Sequence, residues 1–177
     1  MNSITRAVLI GGPGTGKTSV INALKDIGYN VLPEISRQVI KEAQKKGIDQ
    51  LFLTDPHAFS DRLLEGRISQ YGEATNGLYF YDRGIPDVPA YHRFTGDPIP
   101  EIYVEKSIRL RYDYCFYFPI WEEIYQQDSE RYEDLNQAKK ISGIIKKEYE
   151  SLDYQVIDVP KISIEDRVAF ILKYLNP

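Results

Sequence analysis

The stretch Gly11-Gly12-Pro13-Gly14-Thr15-Gly16-Lys17-Thr18 decides how this chain folds. It follows the apolar run 7–10 and leads into the mostly apolar segment 19–24. The first segment is typical of a buried parallel strand and the second of a helix, so the order is strand, glycine-rich turn, helix. Together with the spacing G-x-x-x-x-G-K-[ST], this order is the signature of a phosphate-binding P-loop.

The residue types of the loop match the chemistry of a triphosphate. Glycines let successive backbone N–H groups approach a phosphate, and the start of the helix adds free N–H groups and a positive dipole end. Lys17 supplies a charge for the β- and γ-phosphates, and the Thr18 hydroxyl can ligate Mg²⁺. We therefore predict that a nucleoside triphosphate with Mg²⁺ is bound by Gly12, Pro13, Gly14, Thr15, Gly16, Lys17, Thr18 and Ser19.

Composition indicates an ordinary globular protein. The 177 residues fit one domain, carry a formal net charge of −4 and include one cysteine. The negative charge argues against a nucleic-acid partner, which would favour a basic face. The single cysteine excludes an internal disulfide and a cysteine-rich zinc site, and it is typical of a reducing compartment. Because neither a signal peptide nor an apolar run of about 20 residues is visible, we expect a cytoplasmic protein without a membrane span.

Short apolar segments alternate with helical segments along the chain. Strands are predicted at 6–10, 29–32, 78–81, 112–118 and 154–159. Thr54-Asp55-Pro56 is a strong helix start. The helix that follows has an apolar stripe formed by Phe59, Leu63, Leu64, Ile68 and Tyr71. The alternation predicts an α/β fold with a five-stranded parallel sheet and helices on both faces, in a single domain spanning 1–177.

Glu34 and Arg37 follow the second strand, at the edge where ligands bind in open α/β sheets. They are three residues apart and share a face if this turn is helical. We predict that Glu34 is a catalytic carboxylate and that Arg37 binds the second substrate. A surface ion pair of little energetic weight is the alternative.

The third strand ends at Asp82-Arg83-Gly84. A carboxylate at the end of a buried strand is costly to keep for stability alone. Asp82 could organise Mg²⁺ or accept a proton from a substrate hydroxyl, so the catalytic base is either Asp82 or Glu34. Arg83 is predicted to act in catalysis and to hold an anion of the second substrate, with Asp87 as a weaker substrate-binding candidate. A salt-bridged turn is the alternative.

Two further stretches are predicted to be loops near the site. Residues 85–100 are rich in proline and glycine, so they either wall the pocket of the second substrate or form an irregular connection. The polar residues 126–134 interrupt the apolar pattern, which is typical of a mobile lid around 127–134. Arg131 would then stabilise charge on the transferred phosphoryl group. A solvated charged run is the alternative.

In their order and spacing, these motifs resemble small P-loop AAA-type domains, the group that includes the nicotinamide riboside kinase-like ATPases. More distantly, they are similar to thymidylate and deoxynucleoside kinases. The resemblance is carried by the stretches 11–18, 34–37, 82–84, the surroundings of Arg131, and 154–160. It implies a three-layer P-loop NTPase fold with sheet order 2-3-1-4-5. It also implies adenine contacts from Val159 and Pro160.

The resemblance leaves the second substrate open, because Asp82-Arg83-Gly84 differs from the Asp-Arg-Tyr or Glu-Arg-Ser usual in those kinases. We favour a Mg²⁺-dependent phosphotransferase that uses ATP and a small nucleoside- or nucleotide-like acceptor. The alternative is a nucleotide-dependent ATPase or GTPase switch whose loops present a surface to a partner. The sequence contains no Asn/Thr-Lys-x-Asp guanine motif, which favours ATP. It does not indicate an oligomeric state.

Overall fold

The structure is a computed structural model that describes residues 3–48, 51–125 and 134–175. Its centre is a sheet of five parallel strands in the order β2-β3-β1-β4-β5. The strands are β1 (Ile4–Ile10), β2 (Asn30–Leu32), β3 (Gly77–Asp82), β4 (Tyr114–Tyr117) and β5 (Val156–Asp158). The parallel pairing and the strand order confirm the predicted fold.

Helices connect the strands on both faces of the sheet. They are α1 (Lys17–Asp26), α2 (Ile35–Lys45), α3 (Leu51–Thr54), α4 (Pro56–Glu73), α5 (Asp87–Thr95), α6 (Glu101–Arg109), α7 (Leu135–Ser151) and α8 (Ile164–Leu175). A short 3₁₀-helix, Glu122–Ile124, follows β4. Among the residues that the structure describes, no helix is both long enough and apolar enough to cross a bilayer.

The central strand β1 is buried on both sides, and its side chains alternate between two hydrophobic clusters. Val8 and Ile10 pack with residues of α5 and α7. Ala7 and Leu9 pack with residues of α1 and α8. This alternation is why the strand is a continuous apolar run. It also fixes the carboxyl end of β1 in the middle of the sheet, where the glycine-rich loop begins.

A third cluster lies among helices α2 to α6. Its buried members include Ile35, Val39, Leu64, Val88 and Tyr103. These helices follow the carboxyl ends of β2 and β3, where the carboxylate and arginine candidates are found. The third cluster therefore positions the side of the site that faces away from the glycine-rich loop.

Residues 85–100 contain a helix, so their prediction as a long loop is wrong. Helix α5 begins after Pro86 and ends before Gly96, which has the left-handed φ of 80° typical of a helix C-terminus. Prolines are tolerated in the first turn of a helix, because those N–H groups have no helical partner. The Asp87 carboxylate accepts a hydrogen bond from the Gly84 amide and fixes this start.

The buried face of α4 is also different from the predicted stripe. Leu63 and Leu64 are buried as expected, but their buried neighbours on the helix are Ser60, Arg67 and Gln70. For Gln70 the cause is a tertiary contact, because its side chain donates to the Pro33 carbonyl oxygen at 2.7 Å. A polar side chain of α4 is therefore buried against the loop that follows β2. The apolar pattern of the sequence does not predict this burial.

The close packing around Gly84 generates a stability prediction. A methyl group at this position would collide with the Tyr149 hydroxyl and would lie 2.8 Å from a ring carbon of Tyr112. We expect Gly84→Ala to lower the free energy of unfolding by about 1–3 kcal/mol, the usual cost of overpacking. Urea denaturation of both proteins measures this change.

The matched control is Gly143→Ala on α7. No atom of the described chain lies within 4 Å of the added methyl group, apart from chain neighbours and the helix's own nearby backbone. This change should raise the free energy of unfolding by up to about 1 kcal/mol, because alanine favours the helix. Unchanged or increased stability of the Gly84→Ala protein would contradict the packing analysis.

Candidate functional site

The glycine-rich loop connects β1 to α1 and is tightly enclosed. Gly14 and Gly16 adopt left-handed φ angles of 70° and 84°, which other residues rarely adopt. A Cβ atom on Gly12 would lie 2.9 Å from the Ala138 carbonyl oxygen and 3.0 Å from the Ser142 Cβ. The glycines are thus required both by the curvature of the loop and by the approach of α7.

Two side chains from distant parts of the sequence hold the loop in place. The Ser142 hydroxyl accepts a hydrogen bond from the Gly12 amide at 3.2 Å. The Arg167 guanidinium donates to the Thr15 carbonyl oxygen at 3.2 Å and to the Ile162 carbonyl oxygen at 2.8 Å. Sequence analysis did not identify Ser142 or Arg167. Both belong to ordinary amphipathic helices, and no local motif marks them.

Lys17 is buried, and its ammonium group is bonded within the loop itself. It donates to the carbonyl oxygens of Gly12 at 2.7 Å and Gly11 at 3.2 Å, and to the Thr15 hydroxyl at 3.0 Å. Burial and the positive charge of Arg83 lower the pKa of Lys17 to about 7, although nearby carboxylates oppose them. An anion in the loop would favour the charged lysine, because it would supply the negative charge that the carbonyl groups lack.

Asp82 and Thr18 meet at the carboxyl end of β3. The Thr18 hydroxyl donates to Asp82 Oδ2 at 3.0 Å. The other oxygen, Oδ1, is buried and accepts no hydrogen bond within the part of the chain that the structure describes. Burial and the negative charge of Glu34 raise the pKa of the Asp82 carboxyl. A hydroxyl and an unpartnered carboxylate oxygen fit Mg²⁺, which prefers oxygen ligands.

Arg83 joins the glycine-rich loop to the carboxylates beyond it. Its Nε donates to Glu34 Oε1 at 2.8 Å, and its Nη1 donates to the Gly11 carbonyl oxygen at 3.1 Å and to Asp87 Oδ1 at 3.3 Å. The residue has a φ of 72°, an unfavourable angle for a non-glycine residue. Burial opposes the charged form, but Tyr91 and these carboxylates raise the pKa of Arg83 well above its usual value.

Glu34 is an ionised carboxylate with fixed partners. Its Oε1 accepts hydrogen bonds from Arg83 and, at 2.6 Å, from the Ser36 hydroxyl. The Nε of Arg37 lies 3.9 Å from Oε2, so the two residues share a face as expected. This is the looser of the two ion pairs that Glu34 forms within the described residues. Burial acts to raise the pKa of Glu34, but Arg83 and Ser36 outweigh it and lower the value to about 2.

Asp87 is fully buried at the start of α5. Besides Arg83, its carboxylate accepts hydrogen bonds from the Gly84 amide at 3.0 Å and from the Tyr149 hydroxyl at 2.8 Å. Each of these contacts is internal to the protein. In this arrangement Asp87 orients Arg83 and presents no surface to a small molecule.

The structure brings most predicted site residues to one edge of the sheet. Lys17, Thr18, Glu34, Asp82 and Arg83 gather at the carboxyl ends of β1, β2 and β3, as expected for ligand binding in such sheets. Arg131 lies outside the described residues, and its role stays a prediction.

A shallow cleft borders the other side of the glycine-rich loop. It is lined by Thr15, Trp121, Val159, Pro160 and Arg167, among others. The guanidinium of Arg167 lies 4.7 Å from the centre of the Trp121 ring, within the range of a cation–π interaction. Val159 and Pro160, the residues implied for adenine contacts, therefore lie beside the glycine-rich loop.

The pKa of Glu34 predicts a specific loss of stability in acid. Because the folded-state pKa of about 2 is below the ordinary value of 4.5, ionised Glu34 stabilises the fold above pH 4.5. This contribution declines as the pH falls toward 2. We expect the stability difference between wild type and Glu34→Gln to shrink between pH 5 and pH 3, as measured by urea denaturation at each pH.

Glu42→Gln is the control, because it removes an exposed carboxylate from the same helix. Its stability difference from wild type should change little over this pH range. A difference between wild type and Glu34→Gln that stays constant from pH 5 to pH 3 would contradict the assignment of an ionised, ion-paired Glu34.

Solved structures with a similar fold include kinases of small molecules. A deoxyadenosine kinase from M. mycoides with bound dATP has a TM-score of 0.67 and 14% sequence identity, covering 98% of this chain and 100% of that chain. A shikimate kinase from Acinetobacter baumannii in complex with shikimate has a TM-score of 0.63 and 16% identity, covering 98% and 94%. A shikimate kinase from Aquifex aeolicus has a TM-score of 0.59 and 19% identity, covering 97% and 96%. At these identities the likeness shows the fold.

A comparison with curated proteins found no match. The sequence profile of a family described as an AAA domain matches residues 6–167, which include the glycine-rich loop and both loop-holding side chains, Ser142 and Arg167. Because this match covers most of the chain, the protein belongs to the AAA domain family of P-loop proteins.

Proposed function

We propose that the protein is a Mg²⁺-dependent kinase that transfers the γ-phosphoryl group of ATP to a hydroxyl group of a small nucleoside- or nucleotide-like acceptor. The observation that carries this proposal is the buried ion pair of Glu34 with Arg83 beside Lys17 and Asp82. A nucleotide switch requires the loop lysine and the groups that bind the metal. It does not require a second, ionised carboxylate paired with an arginine beside the glycine-rich loop.

The nucleotide half of the site would use the loop and its surroundings. Lys17 would leave the carbonyl oxygens of the loop and bind the β- and γ-phosphates. Thr18 and Asp82 would hold Mg²⁺, which neutralises phosphate charge when bound. Val159 and Pro160, which border the loop, would contact the adenine ring. Arg131 is proposed to add positive charge near the transferred group.

The acceptor half would use Glu34, Arg37 and Arg83. The acceptor hydroxyl oxygen forms a bond to the γ-phosphorus, the bond to the β,γ-bridging oxygen breaks, and ADP leaves. A carboxylate with a pKa of about 2 is a weak base. Glu34 would therefore accept the hydrogen bond that orients the hydroxyl, and the proton would pass late to an oxygen of the transferred phosphoryl group or to solvent. We assign Asp87 to the positioning of Arg83, because it is buried.

Lys17 provides the first test of the nucleotide half. Lys17→Ala should weaken the binding of Mg²⁺-ATP by at least about 100-fold, because it removes the charge that pairs with the phosphates. Isothermal titration calorimetry measures the affinity, and circular dichroism checks that the fold is retained. Lys25→Ala, at the exposed end of the same helix, is the control and should bind normally. Normal ATP binding by Lys17→Ala would contradict the P-loop assignment.

The decisive experiment on function is an assay of ATP consumption with Mg²⁺, alone and with a panel of nucleosides, nucleotides and nicotinamide riboside. We expect one compound to stimulate ATP consumption and to be recovered in phosphorylated form. Glu34→Gln should lower kcat by about 10²-fold and leave the affinity for ATP nearly unchanged, because it removes the charge that orients the acceptor. Slow hydrolysis that no compound stimulates would overturn the kinase proposal in favour of a nucleotide switch.

A further inference from the structure

Arg67 on α4 is buried without a full set of hydrogen-bond partners. Only 3% of the residue is exposed to solvent. Its Nε and Nη1 atoms donate to no group among the residues that the structure describes. Gln70, on the same buried face of the helix, donates to the Pro33 carbonyl oxygen at 2.7 Å. Arg67 therefore differs from Gln70 on the same face, because Gln70 has a hydrogen-bond partner and two nitrogens of Arg67 have none among the described residues.

Arg67 lies near the chain segment that contains Glu34, a residue of the proposed acceptor half of the site. The bond from Gln70 holds this face of α4 against Pro33, the residue before Glu34. At Gly66, next to Arg67, an added Cβ would lie only 2.7 Å from the Ile35 side chain. Burial and Arg83 act most strongly on the pKa of Glu34, and the charge of Arg67 adds to its lowering. Arg67 therefore lies within electrostatic reach of Glu34.

A buried guanidinium without hydrogen-bond partners destabilises the folded protein. Removing a charged group from water costs several kcal/mol unless hydrogen bonds and a counter-charge compensate. Glu34, the carboxylate whose pKa the charge of Arg67 helps to lower, already accepts hydrogen bonds from Arg83 and Ser36 at 2.8 and 2.6 Å. A stabilising role alone would favour an apolar side chain of similar volume. An arginine at this position instead suits a ligand that brings its own negative charge.

We propose, on the basis of the proposed kinase function, that Arg67 receives an anionic group of the acceptor. The acceptor would then carry both the hydroxyl group that is phosphorylated and an oxyanion, either a carboxylate or a phosphate. Glu34 would orient the hydroxyl, and Arg67 would bind the oxyanion from α4. An uncharged nucleoside would leave the guanidinium unpaired and would be a poor substrate.

The direct test is anion binding while the glycine-rich loop is occupied. Wild-type protein is saturated with Mg²⁺ and the non-hydrolysable ATP analogue adenylyl imidodiphosphate, then titrated calorimetrically with inorganic phosphate and, separately, with acetate. We expect saturable binding of at least one anion, weakened at least tenfold by Arg67→Met. Tighter binding of phosphate would indicate a nucleoside monophosphate as acceptor, and tighter binding of acetate a hydroxy acid. Binding of neither anion, or equal binding by the variant, would overturn the inference.

Two further variants separate a binding role from a structural one. Arg62→Met removes an arginine from the outer groove between α2 and α4 and should bind anions like wild type. Arg67→Met should melt at the same or a higher temperature than wild type, because it removes an unpaired buried charge. If Arg67→Met does not fold, Arg67→Lys keeps the charge and should show weakened anion binding. A variant at position 67 that is less stable but binds anions normally would mark Arg67 as structural.

Activity assays distinguish the failure of this inference from the failure of the kinase proposal. Each nucleoside is compared with its 5′-monophosphate, whose remaining ribose hydroxyl groups would be the acceptors, and shikimate with its methyl ester. We expect the anionic member of one pair to have at least a tenfold higher kcat/KM, with the preference lost in Arg67→Met. Equal use of both members by wild type and variant would overturn the anion site and leave the kinase intact. Anion binding through Arg67 without any phosphorylated product would overturn the kinase and leave the anion site.

Discussion

The contacts of Arg83 are the constraint on which the candidate site depends. One guanidinium donates to the Gly11 carbonyl oxygen of the glycine-rich loop and to the carboxylates of Glu34 and Asp87. The loop after β1, the start of α2 and the start of α5 are thereby fixed relative to one another. The left-handed backbone of Arg83 directs its side chain into this junction, and the three hydrogen bonds offset the strain of that conformation.

Some charged groups around this junction have an ion-pair partner and others do not. This difference distinguishes their roles. Glu34 shares an ion pair with Arg83 and stays ionised, whereas Asp82 Oδ1 has no partner among the described residues and its carboxyl has a raised pKa. Among the described residues, Lys17 is bonded only to oxygen atoms of its own loop, and its pKa falls to about 7. Groups without a bonded counter-charge in this part of the chain are those that a phosphate chain or a metal ion would satisfy.

The proposed nucleotide half of the site is made of residues that the sequence already singles out, because short segments encode it. A strand, a glycine-rich turn and a helix follow one another in the chain, so spacing alone identifies Lys17 and Thr18. The side chains that hold the glycine-rich loop in place cannot be identified in this way. Ser142 and Arg167 reach it from 130 and 152 residues away, and only the packing of α7 and α8 brings them there. A single sequence gives no sign of such contacts.

The residues of the proposed acceptor half are harder to predict from the sequence, for a related physical reason. Helix α4 looks like an amphipathic helix with an apolar stripe, yet its buried face includes Arg67 and Gln70. Apolar periodicity detects burial driven by the hydrophobic effect and does not detect a polar side chain buried against a loop. Deoxyadenosine and shikimate kinases share this fold at 14–19% identity although their names indicate different acceptors. The fold itself therefore does not determine an acceptor, and individually placed polar residues can differ while the glycine-rich loop and the order of the strands stay the same.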